Sequence, residues 1–254
     1  SGTMSMSPEI TKFLYKSSYN EVSSDYGIES SPAIYRNLMY TVDNGGTLLC
    51  TDINKLEPVW MYDTKDDTDS TVVIEETEDG VFIYTANEVD KRCAGGKSSK
   101  ADANIRKFNA LTGELVWQKD YTCYYRSYIN GGVLGTPLIG KNDISDMIIF
   151  PFCFTGGQMD GKLVALDKKT GEEIWVRELP LYSWSSPVDI LSDDGKTYGI
   201  FCGYDGFMHL FDPMTGEDLD SVSLGANIES SPSVYDDIAV VGSYAQKIFG
   251  VKIK

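Results

Sequence analysis

The chain has 254 residues, 42% hydrophobic and 12% aromatic, enough for a substantial core and far from the composition of a disordered segment. Its formal net charge of −16 and pI near 4.4 argue against a nucleic-acid or anionic-membrane surface, both of which need clustered Lys and Arg. No run approaches the ~20 apolar residues of a spanning helix, so the chain is expected not to span a membrane.

The opening "SGTMSMSPEI" lacks the charged-plus-apolar pattern of a signal peptide. Residues 1–3 read as an expression remnant, and residues 1–11 as a tail outside the fold. "KFLYKSS" (12–18) is a short alternating strand. The pentapeptide "IESSP" then opens at Ile28 and returns at Ile228, and self-similarity of this kind marks repeat architectures.

Laid out on that motif, the chain divides into units of about 50 residues, each a run of short β-rich segments separated by Asp, Gly and Asn turns. The first (about 28–64) reads "ESSPAIY", "LMYTVDNGGTLLCTDINKLEPVWMYDT". The second (69–121) reads "DSTVVIEE", "GVFIYTANEV", "NIRKFNALTGELVWQKDY". The third (134–179) is the clearest, with "LGTPLIG", "DMIIFPFCF", "DGKLVALDKKTGEEIWVREL". The fourth (184–224) reads "SSPVDIL", "TYGIFCGYDGFMHLFDPMTGEDLDSVSL". "TGE" places Gly113, Gly171 and Gly216 where a tight turn between third and fourth strands needs positive φ. Trp60, Trp117 and Trp175 follow on the outer strand, large enough to fill the wedge between neighbouring units.

The fifth unit, "IESSPSVY", "IAVVGSY", "QKIFGVKIK" (228–254), has three strands and no TG turn. Residues 12–18 match "VWMYDT" of the first unit, with Phe13 at the Trp position, so the N-terminal strand is expected to complete the last unit and hide the open edges. The fold class predicted is all-β: a β-propeller of four-stranded antiparallel blades, five in number and closed by its termini, in a single domain over 12–254. The alternative is a C-terminal piece of a longer ring.

The segment "GKLVALDKKTGEEIW" (161–175), with weaker copies at 46–60 and 103–117, resembles the pyrroloquinoline-quinone-type propeller repeat. That family includes quinone-dependent dehydrogenases and a non-catalytic outer-membrane assembly scaffold, so the resemblance speaks for fold more than function. For the dehydrogenases it implies an adjacent cysteine pair, a calcium-bound quinone and a catalytic Asp. Here no two cysteines are adjacent, and no residue matches that Asp by motif. His209, the lone histidine, reads as a packed residue, and "DTKDDTDS" (63–70) as a solvated turn rather than a metal loop.

By analogy with propellers, the segments leading into the inner strands share a face with the turns between second and third strands, around the channel mouth. Repeat alignment puts Glu29, Asp69, Leu134, Trp184 and Glu229 at one position of blades one to five. Clustered acids either raise a pKa or recruit a cation. Pyrroloquinoline quinone and calcium stay open as cofactors, with no metal ligand assigned. Two long loops, 87–103 and 120–132, reach the same face and carry Arg92, Tyr124, Tyr125, Arg126 and Tyr128 beside several lysines, a recognition-type patch. Cys93 and Cys123 lie one in each loop, and a Cys93–Cys123 bridge would pin them together. Cys50, Cys153 and Cys202 read as small buried hydrophobes.

These readings point to a non-catalytic binding or scaffold propeller, secreted, periplasmic or at the cell surface, monomeric, with a protein, peptide or glycan ligand. The competing class is a quinone-dependent oxidoreductase or a remnant that keeps the cofactor.

Overall fold

A computed structural model describes residues 10–17, 27–90, 98–126, 129–156 and 159–254. The described residues form five β-sheets in chain order. Blade one pairs β1 (Ala33–Tyr35), β2 (Leu38–Val42), β3 (Thr47–Asp52) and β4 (Glu57–Asp63) as an antiparallel meander. Blade two has β5 (Val73–Thr77), β6 (Gly80–Ala86), then, after the short β7 (Glu88–Val89), β8 (Ser98–Asn109) and β9 (Leu115–Arg126). Blade three has β11 (Leu138–Ile139), β12 (Met147–Cys153), β13 (Gly161–Asp167) and β14 (Glu173–Leu179), joined at one end by β10 (Gly131–Gly132), which bridges to β7. Blade four has β15 (Val188–Leu191), β16 (Thr197–Cys202), β17 (Phe207–Phe211) and β18 (Asp218–Ser223). Blade five has only β19 (Ser233–Tyr235), β20 (Ile238–Ser243) and β21 (Lys247–Lys252).

Period-two alternation gives each blade two apolar faces, and successive blades stack on them. Tyr40, Val42, Leu48 and Cys50 of blade one meet Val81, Ile83 and Phe108 of blade two. Comparable cores join blades two and three, three and four, and four and five.

The repeated motifs fasten these seams. The indole N–H of Trp60 donates to Ala110 O at 3.0 Å, that of Trp117 to Lys168 O at 3.1 Å and that of Trp175 to Pro213 O at 2.9 Å. Each ring lies on the TG glycine of the next blade. A Cβ on Gly171, where φ is +74°, would sit 2.8 Å from Trp117 Cδ2, so the turn needs glycine for its φ and for the approach of the indole.

The Ser/Thr that leads into each inner strand, followed by proline in every blade but the second, closes a second set of ties. Ser31 N–H donates to Thr71 Oγ1 (3.3 Å), Thr71 N–H to Thr136 Oγ1 (3.2 Å), Thr136 N–H to Ser186 Oγ (2.9 Å) and Ser186 N–H to Ser231 Oγ (2.9 Å). One hydroxyl relay therefore crosses all five blades.

The expected closure differs from what the structure shows. Residues 10–17 form no strand, and β21 pairs only with β20. The segment keeps the alternation of an outer strand, with Phe13, Tyr15 and Ser17 half-buried and Leu14 and Lys16 exposed, yet its polar contacts go to blade one. Tyr15 OH donates to Asp43 Oδ2 at 2.9 Å, and the Ser17 and Thr47 hydroxyls lie 2.9 Å apart. It meets blade one at the β2–β3 turn, without reaching the edge it was expected to complete.

Candidate functional site

Three carboxylates converge where the β4–β5 connection meets the end of β6. Asp67, Asp69 and Glu88 place one oxygen each within 4.8 Å of one another. The β4–β5 connection, read from sequence as a solvated turn, is instead largely buried: Thr64, Asp66, Asp67, Thr68 and Ser70 are all within the fold. Its backbone is tied down, with Thr64 N–H donating to Gly46 O at 2.7 Å and Glu88 N–H to Asp67 O at 2.8 Å.

Glu88 is held by two groups, Asp69 N–H to Oε1 at 3.3 Å and Asn130 Nδ2 to Oε2 at 2.8 Å. The "GG" of β10 makes this possible. Gly132 pairs with both Glu88 and Cys153, and a Cβ on Gly131 would stand 2.3 Å from Tyr124 O. Only a strand without side chains threads that gap.

Burial, followed by the neighbouring Asp69 carboxylate, pushes Asp67 up to about 8. Burial and the adjacent Glu29 push Asp69 up to about 6. Glu88, fully enclosed, is raised well above the carboxylate range by desolvation and then by the two aspartates. The buried Oδ1 of Asp69 and the hydroxyls of Thr68 and Ser70 have no hydrogen-bond partner. An all-oxygen donor set of this kind suits a hard divalent cation such as calcium, and Asp67, Asp69 and Glu88 are the residues that could hold it.

Four of the five aligned mouth residues fall into two pairs. Glu29 and Asp69 come together at blades one and two. Leu134 and Trp184 come together around Cys153, Phe154 and Tyr182, with Tyr182 and Trp184 rings 5.2 Å apart. Glu229 is held within its own blade. Tyr244 OH donates to it at 2.7 Å and Asn227 Nδ2 at 3.3 Å. Asp67, Glu88 and Asn130 were missed, because "DTKDDTDS" reads as polar surface and "NEVD" as the start of a loop. The double glycine of "INGG" was the signal that something packs against it.

The two long loops are partly strand. β8 and β9 run 12 residues each, against five to seven for their counterparts in blades one, three and four. Ser98–Ala103 pairs with Tyr121–Arg126 as a ribbon that extends blade two by roughly 17 Å at ~3.3 Å per residue. The alternation in "YTCYYR" explains it: Tyr121, Cys123 and Tyr125 turn inward, Thr122 and Arg126 outward. Tyr121 packs on Phe152 at 4.7 Å, and Tyr124 N–H donates to Phe154 O at 2.9 Å.

The aromatic patch therefore needs correcting. Tyr125 belongs to the core between blades two and three, Tyr124 is half-buried, and Arg126 is exposed. Arg92 and Tyr128 lie outside the described residues. Cys123 is a free, fully buried thiol that burial raises to about 12, and Cys93, its expected partner in a bridge, lies outside the described residues. Cys50, Cys153 and Cys202 are free and buried as expected. His209 is packed, stacked on Phe201 at 4.6 Å and bridging Asp205 and Asp218 at 3.0 and 3.2 Å.

Arg126, at the ribbon end, opens a cleft of about 570 Å³ with Met159, Asp160, Pro180 and Leu181. A larger cleft, about 1270 Å³, lies on the opposite face among the β5–β6 and β13–β14 turns. Its inner cations are already engaged: Lys168 with Glu75 and Gly140 O, and Lys107 with Lys168 O at 2.8 Å.

A family profile described as outer membrane protein assembly factor BamB matches residues 16–193. The chain belongs to this family of pyrroloquinoline-quinone-type repeats. Among solved structures it resembles BamB from Moraxella catarrhalis, with a TM-score of 0.61 at 18% identity over 91% of this chain and 61% of that one. Among curated proteins it is 35% identical to Kangiella koreensis BamB over 78 residues, 30% of this chain and 19% of that protein. It is 26% identical to the quinoprotein ethanol dehydrogenase of Pseudomonas aeruginosa over 153 residues, 59% of this chain and 23% of the enzyme. The chain thus spans about a fifth to a quarter of the length of these curated relatives. The propeller family recognised from "GKLVALDKKTGEEIW" and the all-β blade architecture are both shown.

Proposed function

We propose that this propeller is a non-catalytic protein-binding module whose working face carries the β8–β9 ribbon and the acid-lined mouth. The observation that carries the reading is the ribbon. The blade is extended on this face, and its end sets an exposed arginine beside Met159, Pro180 and Leu181. An arginine flanking apolar side chains in a concave notch is the chemistry of a peptide anchor point. The BamB relatives, named as assembly factors of an outer membrane, support a protein partner and a place in the cell envelope. No helix among the described residues is long and apolar enough to cross a membrane.

The quinone-dependent alternative has less to stand on. The four buried cysteines are separated thiols, and the acid trio supplies cation ligands without the adjacent cysteine pair that the dehydrogenase resemblance implies. Titrating the chain with pyrroloquinoline quinone and calcium, while following visible absorbance and dye reduction with ethanol, separates the two readings. The binding-module reading expects no dye reduction. Ethanol-dependent reduction that is lost in Glu88→Gln would overturn it.

A further inference from the structure

One position of the third strand can be followed through all five blades by register. Cys50, Lys107 and Ala165 pair with Trp60, Trp117 and Trp175 of the outer strands. Leu210 pairs with Asp220, and Gly250 pairs with Val240 as Cys50 does with Tyr40. Four of these residues are small or apolar, as a seam between close-packed sheets requires. Blade two places a lysine there, only 6% exposed.

Burying an ammonium is costly unless an acid neutralises it, and Lys107 makes no ion pair among the described residues. The Glu75 carboxylate in its surroundings is occupied, one oxygen by Lys168 Nζ and the other by Tyr84 OH at 2.6 Å. Lys107 Nζ donates to Lys168 O at 2.8 Å. It otherwise lies over aromatic rings, 4.1 Å from the centre of Phe82 and 5.3 Å from that of Tyr84. The seam does not require that donation. The equivalent carbonyl of the preceding seam, Ala110 O, is met by Trp60 Nε1–H and Tyr40 OH, each at 3.0 Å, without a lysine.

Lys107 lines the cleft of about 1270 Å³, whose apolar lining includes Ile74, Phe82 and Ile139. Burial is the main influence that lowers the pKa of its amine, and the Lys168 ammonium acts in the same direction, while Glu75, Asp167 and Asp79 oppose both. Desolvation beside a second cation is the arrangement that frees a lysine amine to act as a nucleophile. Six carboxylates line the cleft against four lysines, which opposes an anionic ligand and leaves an uncharged one unhindered.

We propose that Lys107 is a reactive amine that captures an uncharged aldehyde in this cleft as an imine. The Nζ lone pair forms a C–N bond to the carbonyl carbon while the C=O π pair moves to oxygen. Both amine protons then leave with that oxygen as water, and C=N remains, so no oxidant or reductant is consumed. The ring of Phe82 and the aliphatic side chains beside it suit an aromatic aldehyde. The site lies on the face opposite the ribbon and is independent of the reading of that face.

Benzaldehyde with sodium cyanoborohydride, which reduces an imine to a stable secondary amine, tests this by peptide mass mapping of the native chain. At neutral pH Lys107 should be labelled at least tenfold faster than Lys141 and Lys169, the exposed lysines of the same cleft. Its rate should level off at a lower pH than theirs, and its lead should vanish in denaturing urea. Glyoxylate, an anionic aldehyde, should label Lys107 no faster than those two. A Lys107 that reacts with benzaldehyde no faster than Lys141 and Lys169, or that keeps its lead in urea, would overturn the inference. So would a preference for glyoxylate at Lys107, since that makes the cleft an anion site.

Discussion

At the scale of single residues, the TG glycines and the buried acids make separable predictions. Gly171 combines φ of +74° with an indole against its Cα, while Gly195 has φ of +85° and nothing within 4 Å. Ala at a left-handed position costs about 1 kcal/mol for backbone strain alone. Gly195→Ala should therefore lose about that much in urea unfolding, and Gly171→Ala about 2 kcal/mol or more, the difference being the displaced Trp117. Equal losses would show that the indole contact contributes nothing. The acids predict a pH dependence. Asp67 and Asp69 have folded pKa values raised above the 3.8 of an ordinary aspartate, to about 8 and about 6, so the folded state holds more protons than the unfolded one between pH 4 and 8. Stability then falls as pH rises through that window, with Glu29 and Asp90 adding to the repulsion. Melting temperature should drop from pH 5 to pH 8, calcium should restore it at pH 8, and Asp67→Asn with Glu88→Gln should flatten both responses. A melting temperature that rises with pH in the wild type and stays indifferent to calcium would contradict the assigned burial.

At the scale of elements, the ribbon divides into a packed side and a presented side. Tyr125→Ala removes a ring buried between blades two and three and should cost about 3 kcal/mol, in the range of large aromatic truncations. Arg126→Glu, one residue on and exposed, should change stability by less than about 0.5 kcal/mol. Chemical denaturation of the two variants checks the contrast, and similar losses would mean that the ribbon is not a strand with two distinct faces. Much of this level was legible from sequence. The turn glycines, the tryptophans and the Ser/Thr–Pro lead-ins repeat because each satisfies a local requirement of the blade: a positive φ, a wedge, a hydroxyl. The ribbon was harder to see because its inward Tyr121, Cys123 and Tyr125 resemble a loop's recognition residues, and only the partner strand reveals which side they take. Asp67 and Glu88 were hidden for a related reason. Their burial is imposed by β10 and by the blade seam, both distant in sequence.

At the scale of the whole molecule, the five sheets of the described residues are tied by four apolar seams, three indole wedges and one relay of hydroxyls. Thr136 is the middle link, accepting from Thr71 N–H and donating its own N–H to Ser186. Thr136→Val leaves the Thr71 N–H without its acceptor and should cost about 1–2 kcal/mol. Thr77→Val, on an exposed turn, should cost less than half of that. The closing strand expected from "KFLYKSS" failed at this scale. Similarity to "VWMYDT" identified the kind of strand but not the edge it would reach, since pairing with β21 depends on the curvature accumulated over all five blades. That same curvature brings the ribbon, the acid mouth and the Arg126 notch onto one face and leaves the 1270 Å³ cleft with its paired lysines on the other.

We propose this ribbon-bearing face as the one that meets a protein partner. The most direct measurement selects peptides from a random display library on the immobilised chain and titrates a fluorescent version of the best binder against wild type, Arg126→Glu and Lys169→Glu. Binding at the ribbon gives at least a tenfold weaker Kd for Arg126→Glu and an unchanged Kd for Lys169→Glu on the opposite face. Binding that ignores Arg126→Glu and collapses in Lys169→Glu would contradict it.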